Sequence, residues 1–155
     1  MARIEELMVT EMVTAAPNET VREVAHRMSA NKVGAVLIVE NGELRGLFSE
    51  RDLLMRVVGE NRDPQKTKVS DVATKDVVTI NADAPLKSVL KLFRERKFRH
   101  LPVIRGGKPV GIVSTRDFHE YLVEGLERYI DDLRYKHDLD EGLDPYDHLG
   151  GSYGR

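Results

Sequence analysis

The sequence of 155 residues predicts an α/β fold of two pseudo-symmetric repeats, each a small three-stranded sheet with helices on its outer face. Three observations support this prediction. The segment 46–52, Gly-Leu-Phe-Ser-Glu-Arg-Asp, returns 65 residues later as the segment 111–117, Gly-Ile-Val-Ser-Thr-Arg-Asp. Each copy has a stretch of helical apolar spacing, and after it come two apolar runs joined by a glycine-containing turn. The chain therefore contains two copies of one folding unit.

The offset of 65 residues also sets the predicted boundaries. It holds without gaps when residues 4–58 are aligned with residues 69–123. The charged residues between them include Pro64 and are typical of a solvated linker. We predict a first repeat at residues 1–62, a second at 63–124, and a C-terminal extension at 125–155. The extension begins as a helix, and from His137 onward it becomes an acidic, glycine-bearing tail that we predict to be disordered.

Within each repeat the predicted order is strand, helix, strand, strand, helix. Apolar residues at positions i, i+3, i+4 and i+7 indicate the first helix, namely Val21, Val24, Ala25 and Met28 in one copy and Leu86, Val89, Leu90 and Phe93 in the other. Asn18 and Asp83 are the predicted N-caps of these helices. The predicted strands are residues 12–15, 36–39 and 44–48 in the first repeat and 77–80, 101–104 and 109–113 in the second.

Glycine-containing turns join the last two strands of each repeat. Asn41-Gly42 lies between one pair of strands, and Gly106-Gly107 lies between the other. Glycine accepts the positive φ angle that a tight hairpin turn requires. Each repeat is therefore predicted to contain a β-hairpin.

The final helix is predicted to continue beyond Asp117, with Gly125 as a point of interruption. One apolar face of this helix is formed by Phe118, Leu122, Leu126, Tyr129 and Leu133. Small two-repeat modules seldom cover such faces alone, and closed twofold pairing is the commonest solution. We therefore predict a homodimer through exposed apolar helix faces that include Met55, Val58, Phe118, Leu122 and Leu126.

Composition narrows the classes of function. Lys and Arg number 24 and Asp and Glu number 26, so a net charge of −2 gives no broad positive field for nucleic acid. The absence of cysteine excludes a disulfide scaffold and thiolate metal sites. There is no signal-peptide pattern, and no apolar run approaches the roughly 18 residues of a membrane span. We therefore expect no targeting segment, no membrane association and a cytoplasmic location.

No catalytic constellation stands out, so the protein is expected not to be an enzyme. The five histidines are scattered, Ser49 and Ser114 lack a Gly-x-Ser-x-Gly context, and there is no P-loop. Metal binding by the acidic tail is an alternative, with the candidate ligands His137, Asp138, Asp140, Glu141, Asp144, Asp147 and His148. Because these residues match no zinc or EF-hand spacing, a solvated tail is the favoured interpretation.

The repeated unit resembles the CBS domain, named after cystathionine β-synthase, and the pair resembles a Bateman module of the stand-alone bacterial and archaeal type. The resemblance covers residues 4 to about 123, and it rests on Val-Gly-Ala-Val at 33–36, the segment 46–52 and Arg-His-Leu-Pro-Val at 99–103. It implies a regulatory module that binds AMP, ADP, ATP or a related adenosine nucleotide between the repeats. Such a module requires no cofactor. The resemblance also implies that the module regulates an effector enzyme or transporter on a separate chain. A dimerisation or protein-interaction module without a nucleotide is the alternative.

The resemblance also implies which residues bind the nucleotide. Asp52 and Asp117 match the carboxylate that accepts hydrogen bonds from the ribose hydroxyls, and Ser49 and Ser114 match the hydroxyl beside the phosphate. Adenine would be enclosed by segments that contain Val78, Thr79 and Ile80, and Arg99, His100 and Leu101. Phosphate neighbours in the second site are Thr115, Arg116, Arg99 and His100, and the first site has Glu50 beside Arg51, with Gly34 and Ala35.

The two implied sites differ in charge. Glu50 should repel a phosphate in the first site unless Arg51 offsets it, so the second site, with Asp117, is the preferred one. A local interpretation of the Ser-x-x-Asp motif also stands. This spacing is that of a capping box with Asp in place of Glu, in which serine caps a helix and the acid steadies its first turn.

Overall fold

Both predicted sheets are present in the computed structural model, which describes residues 3–96 and 99–142. Each sheet has three strands, and helices connect and follow them. Among the described residues, the sheets belong to one compact unit that ends at Asp117, and the residues from Phe118 to Gly142 belong to a second unit. The predicted α/β class, with two three-stranded sheets, is confirmed.

The two halves of the chain contain matching elements. The first half has β1 (Thr14–Ala15), α1 (Val21–Asn31), β2 (Ala35–Glu40), β3 (Glu43–Ser49) and α2 (Glu50–Asp52), which continues as a π-helical segment, Leu53–Val58. The second half has α3 (Val69–Val72), β4 (Ile80–Asn81), α4 (Leu86–Arg96), β5 (His100–Arg105), β6 (Lys108–Ser114) and α5 (Thr115–Asp140). The central strands, β2 and β5, each pair in parallel with the strand before and antiparallel with the strand after. The two sheets therefore share one topology.

The hairpins turn at the predicted glycine-containing pairs. The φ angles are 53° at Asn41 and 77° at Gly42, and they are 57° at Gly106 and 78° at Gly107. Positive φ at both central residues belongs to the type I′ turn, whose twist matches that of the flanking strands. The local turn chemistry thus places β3 and β6, which lead directly into the Ser-x-x-Asp motifs.

The predicted N-caps were wrong. The cap of α1 is Thr20, whose hydroxyl accepts a hydrogen bond from the Glu23 N–H while the Glu23 carboxylate accepts one from the Thr20 N–H. This reciprocal pair satisfies two backbone N–H donors at the helix start. Asn18 lies two residues before the cap and does not satisfy them. In the second half, Asp83 lies in the turn before α4, which begins only at Leu86.

The first strand of each sheet is shorter than predicted. Residues 12–15 and 77–80 were the predicted strands, but β1 and β4 contain two residues each. Both are edge strands, and each pairs with its central strand over two positions only. Val77, Val78 and Thr79 consequently have no strand pairing.

Each sheet receives the leading segment of the other repeat. Val9 exchanges backbone hydrogen bonds of 2.9 and 3.0 Å with Ile112 in β6, and Thr74 exchanges two of 2.9 Å with Leu47 in β3. Ile4 is fully buried in the core of the second sheet, whereas α3 lies in the core of the first. The repeats of the sequence are therefore interlocked in space, and the boundary near Pro64 remains a prediction about sequence alone.

This interlocking explains the glycine that opens the repeated motif. A Cβ atom on Gly46 would lie 2.9 Å from the carbonyl oxygen of Thr74, and one on Gly111 would lie 2.7 Å from the sulfur of Met8. At Gly46 the close atom belongs to the backbone, so a side chain there would force the crossing segment away from the strand. At Gly111 the flexible Met8 side chain could move, and the nearest backbone atom, the carbonyl oxygen of Val9, would be 3.1 Å from the added Cβ.

Two apolar cores support the sheets. The first contains Phe48, which is fully buried, together with the inner faces of α1 and β2 and the valines of α3. The second contains Leu101, Val103 and Val113 from the β5–β6 hairpin, with Val89 from α4. Phe48 and Val113 occupy equivalent positions of the repeat, so the first core is filled by the larger side chain at this position.

Helix α5 differs from its prediction in three respects. It is continuous from Thr115 to Asp140, so Gly125 does not interrupt it, and it extends four residues into the tail that was predicted to be disordered. Phe118 is buried and is not part of an exposed face, although Leu122 and Leu126 are exposed. The rest of the tail, residues 143–155, lies outside the described residues. Within residues 3–96 and 99–142, no helix has the length and apolar character to cross a membrane.

Candidate functional site

Both Ser-x-x-Asp motifs form capping boxes. Ser49 N–H donates to Asp52 Oδ2 at 3.0 Å, and Asp52 N–H donates to Ser49 Oγ at 3.3 Å. The equivalent distances are 2.9 and 3.1 Å for Ser114 and Asp117, and the Ser114 hydroxyl also donates to Asp117 Oδ2 at 2.6 Å. The local interpretation of the motif is therefore observed in both copies. It fixes the orientation of each carboxylate, which a binding role also requires.

The second oxygen of each carboxylate has a different environment. Asp52 Oδ1 lies 3.5 Å from Nε of Arg56, a side chain that is half exposed. An ion pair in such a position is weak. In the second motif, the Ser114 N–H and the Ser114 hydroxyl both donate to Asp117 Oδ2. Both carboxylates thus retain capacity to accept hydrogen bonds from a ligand.

A cavity of about 540 Å³ lies beside Asp52. It is lined by the end of β3, by α2 and the π-helical segment, by residues of the crossing segment from Thr74 to Val78, and by Arg99 and His100 at the start of β5. This volume falls within the range of about 300 to 1,000 Å³ that is typical of small-molecule sites. The interlocked segments therefore bring residues of both repeats around one cavity.

The cavity contains part of the predicted site. Six predicted residues line it: Ser49, Arg51, Asp52, Val78, Arg99 and His100. The other eight do not line it. Ala35, Ile80 and Leu101 are buried in strands, and Thr79 is half-buried just before β4. The end of β6 and the start of α5 hold the rest: Ser114, Thr115, Arg116 and Asp117. Arg99 and His100 were grouped with Asp117, and the structure places them beside both motifs: they line the cavity next to Asp52, and the charge of Asp117 acts on His100.

A backbone contact explains why Arg99 adjoins both motifs. The Thr115 N–H donates to the Arg99 carbonyl at 2.8 Å, just as the Glu50 N–H donates to the Gly34 carbonyl at 2.8 Å. The two bonds are equivalent under the offset of 65 residues. Arg99 is thus anchored through its backbone to the second motif while its side chain lines the cavity beside the first.

Sequence reasoning missed several residues of the cavity wall. They are Leu47, Met55, Arg56, Glu60, Thr74, Asp76 and Val77. One signal was available: Arg56 is four residues after Asp52, the spacing at which opposite charges meet on a helix. Leu47 lies on β3 within the repeated motif, and Met55 and Glu60 lie in and just after the π-helical segment. Thr74, Asp76 and Val77 reach the site through the crossing segment, which leaves no local mark in the sequence.

The cavity is close to electrically neutral. Its lining includes three arginines, at 51, 56 and 99, and four carboxylates, at 50, 52, 60 and 76, so its formal charge is −1 when His100 is neutral. Several of these groups are exposed, where water and salt weaken their fields. The site therefore suits a ligand of low charge better than a polyphosphate.

His100 is the titratable residue of this cavity whose protonation the structure perturbs. Burial lowers the pKa of His100 below its ordinary value of 6.5. The nearby carboxylates of Glu50 and Asp117 oppose this shift, and Arg99 adds to it. His100 is therefore predominantly neutral at pH 7, and an anionic group placed beside it would favour the protonated form.

This lowered pKa predicts a dependence of stability on pH. Below about pH 6.5 the unfolded chain binds a proton at His100 more readily than the folded chain does, so the stabilisation present above that pH is lost as the pH falls through the folded-state pKa. We expect the melting temperature of the ligand-free protein to fall less steeply on acidification in His100→Gln than in the wild type. The exposed His26→Gln is the matched control. Parallel curves for His100→Gln and the wild type would contradict the assignment.

The fold and the cavity define a class of protein, a pair of interlocked α/β repeats around a small-molecule cleft. The family model described as the CBS domain matches residues 4–59 and 69–124. The chain therefore belongs to the CBS domain family, as the sequence motifs predicted.

Individual relatives agree with this assignment. The chain is 34% identical over 117 residues to the CBS domain-containing protein YhcV of Bacillus subtilis, covering 76% of this chain and 83% of YhcV. It is similar to the crystal structure of the CBS-domain containing protein ATU1752 from Agrobacterium tumefaciens, with a TM-score of 0.71, 29% identity, and coverage of 77% of this chain and 98% of that one. It is also similar to CBS domain protein PAE2072 from Pyrobaculum aerophilum complexed with AMP, with a TM-score of 0.69, 28% identity, and coverage of 75% and 89%.

The alternative of a metal site in the acidic tail falls partly on the described residues. His137, Asp138 and Asp140 are on the last turn of α5, and Glu141 follows it. Within residues 3–96 and 99–142, no group of three or more His, Asp or Glu side chains is arranged to hold a metal ion. The remaining candidates, Asp144, Asp147 and His148, lie outside the described residues.

Proposed function

We propose that the protein is a regulatory module, without catalytic activity, that binds an adenosine nucleotide in the cavity beside Asp52. The observation that carries this proposal is the composition of the cavity wall. One space of about 540 Å³ combines an oriented carboxylate, apolar side chains and arginines, and these are the groups that ribose, adenine and phosphate each require.

Asp52 is the proposed ribose ligand. Its Oδ2 is held by the Ser49 N–H, and its Oδ1 forms a weak ion pair with Arg56. A carboxylate oriented in this way can accept hydrogen bonds from both ribose hydroxyls, and such charge-assisted bonds are stronger than neutral ones. The capping box and the ligand contact are then compatible uses of one side chain.

The apolar part of the wall is the proposed adenine site. Val77 and Val78 come from the crossing segment, and Leu47 and Met55 come from β3 and the π-helical segment. Because Val77 and Val78 have no strand pairing, their backbone groups are candidates for hydrogen bonds to the edge of the base. Adenine would be recognised by shape and by these backbone groups together.

Arg99, Arg51 and His100 are the proposed phosphate neighbours. The formal charge of −1 on the cavity lining leads us to expect AMP to bind more tightly than ADP, and ADP more tightly than ATP. The AMP carried by the relative from Pyrobaculum aerophilum supports this choice of ligand. Because AMP would raise the pKa of His100, its affinity should increase as the pH falls toward 6.5.

A second ligand beside Asp117 remains part of the proposal. The sequence favoured this site because Thr115, Arg116, Arg99 and His100 were expected near the phosphate, whereas the first site has Glu50 beside Arg51. We now place the first ligand beside Asp52, since the side chains of Arg99 and His100 line that cavity. For this second site we propose Asp117 as the ribose ligand, with phosphate neighbours at Ser114, Thr115 and Arg116.

Association with other proteins completes the proposal. We propose a homodimer, and an effector enzyme or transporter in trans, in the cytoplasm. Met55 and Val58 are 55% and 60% exposed, and Leu122 and Leu126 are exposed as well, so these predicted contact residues are accessible. The alternative function is an interaction module whose cavity binds no nucleotide.

A thermal-shift panel of AMP, ADP, ATP and adenosine separates the two functions. A ligand that binds only the folded state stabilises it by about 2.7 kcal/mol when present at a hundredfold excess over its dissociation constant. We expect AMP to raise the melting temperature most, and calorimetry should then give its dissociation constant. A panel in which no compound shifts the transition would favour the interaction module.

A further inference from the structure

Glu50 lies at the wall of the cavity beside Asp52, in contact with Gly34. The Glu50 N–H donates to the Gly34 carbonyl at 2.8 Å. The Glu50 carboxylate lies over the same glycine, because a Cβ atom added to Gly34 would be 3.4 Å from the carboxyl carbon and from one carboxyl oxygen. The absence of a side chain at position 34 therefore leaves the space that this carboxylate occupies.

Arg51 does not pair with this carboxylate. It is the next residue in the sequence, but its Nε donates to the sulfur of Met55 at 3.4 Å. In the part of the chain that the structure describes, Glu50 forms no ion pair. The sequence left open whether Arg51 offsets the repulsion between Glu50 and a phosphate, and a direct ion pair of the two is not the means.

The field of Glu50 reaches the proposed phosphate position, because it acts on His100. Burial lowers the pKa of His100, and the effect that most opposes this shift is the attraction between the protonated ring and the Glu50 carboxylate. The same carboxylate repels a phosphate held beside His100. This repulsion increases with each negative charge that the ligand carries.

The second motif shows that the fold does not require an acid at this position. Thr115 corresponds to Glu50 under the offset of 65 residues, and its N–H makes the equivalent bond of 2.8 Å, to the Arg99 carbonyl. An acid in the first turn of a helix is favoured by the helix dipole, which is the local interpretation of Glu50. Because a neutral residue supports the same backbone arrangement in the second repeat, the charge of Glu50 is free to serve the cavity.

We propose that Glu50 sets the number of phosphate groups that the cavity accepts, because its charge repels a ligand in proportion to the negative charge of that ligand. This inference rests on the proposed nucleotide site, and it names the residue that makes the site select AMP over ATP. Glu50→Gln keeps the size of the side chain and the bond to the Gly34 carbonyl but removes the charge. ATP carries about twice the negative charge of AMP, so the repulsion that this variant removes is about twice as large for ATP.

Calorimetric titrations with adenosine, AMP and ATP test the proposal. In Glu50→Gln we expect unchanged affinity for adenosine, about threefold higher affinity for AMP and about tenfold higher affinity for ATP. Raising the salt concentration should reduce the gain for ATP, because salt screens exposed charges. Glu43→Gln is the matched control. It removes the same charge at the opposite end of β3, roughly 20 Å from Glu50, and should leave all three affinities unchanged.

The ratio of the ATP and AMP dissociation constants decides between the outcomes. A ratio in Glu50→Gln equal to that of the wild type, or an equal gain for adenosine, would overturn the inference and leave the proposed function intact. A lower melting temperature with an unchanged ratio would assign Glu50 to the helix start alone. A wild type that binds none of the three compounds would contradict the proposed function, and the inference would fall with it.

Discussion

Replacing Asp52 with alanine is expected to weaken AMP binding by about a hundredfold or more. The substitution removes the acceptor for both ribose hydroxyls, and each charge-assisted hydrogen bond contributes roughly 1.5 to 3 kcal/mol. A loss of about 1.4 kcal/mol corresponds to a factor of ten in the dissociation constant. Calorimetric titration of wild type and Asp52→Ala with AMP measures the effect directly.

Ser49→Ala separates ligand binding from helix capping. It removes the hydroxyl that accepts the Asp52 N–H but keeps the carboxylate, so we expect a loss of about 0.5 to 2 kcal/mol in unfolding free energy and a much smaller change in AMP affinity. Asp117→Ala provides the comparison with the second motif. If Asp52→Ala bound AMP as tightly as the wild type, the ribose assignment would be wrong even though the family and fold would stand.

Replacing Phe48 with alanine is expected to lower the unfolding free energy by about 3 to 5 kcal/mol. Phe48 is fully buried in the first core, and its truncation leaves a cavity that the surrounding strands can fill only in part. Such a loss is a large fraction of the roughly 5 to 15 kcal/mol that stabilises a typical domain. Denaturant unfolding with a linear extrapolation provides the measurement.

The matched control is Leu54→Ala, because Leu54 is 65% exposed. We expect this variant to remain within about 0.5 kcal/mol of the wild type. Because Phe48 is next to Leu47 of the cavity wall, Phe48→Ala should also weaken AMP binding. A loss below about 1 kcal/mol for Phe48→Ala would show that the first core is not packed around this ring.

Local chemistry made much of the fold predictable. The Asn41-Gly42 and Gly106-Gly107 turns determine the hairpins through their positive φ angles, and the apolar stripe of α1 follows from spacing alone. The interlocking was not predictable, because the pairing of Val9 with Ile112 joins residues about 100 positions apart and is not encoded by any local pattern. The cap of α1 was missed because Thr20 and Asn18 are both good capping residues.

The candidate site divides in the same way. The sequence motif marked Ser49 and Asp52, because the carboxylate and its cap are within one helical turn. Other residues of the cavity wall, such as Asp76 and Val77, are distant in the sequence. Their place in the wall depends on where the crossing segment lies beside β3. The resemblance grouped Arg99 with Asp117, and the path of the backbone places Arg99 at the cavity beside Asp52 as well.

The crossing of the leading segments has a consequence for synthesis on the ribosome. Ile4 is made about 100 residues before Val103 and Val113, with which it shares a core. The first core likewise awaits α3 of the second repeat. Long-range contacts of this kind slow folding because their loop entropy is lost before the contacts form. The segment that contains Ile4 therefore has no core to join until the hairpin of the second sheet has been translated, and chaperone binding or premature aggregation would compete with folding during that period.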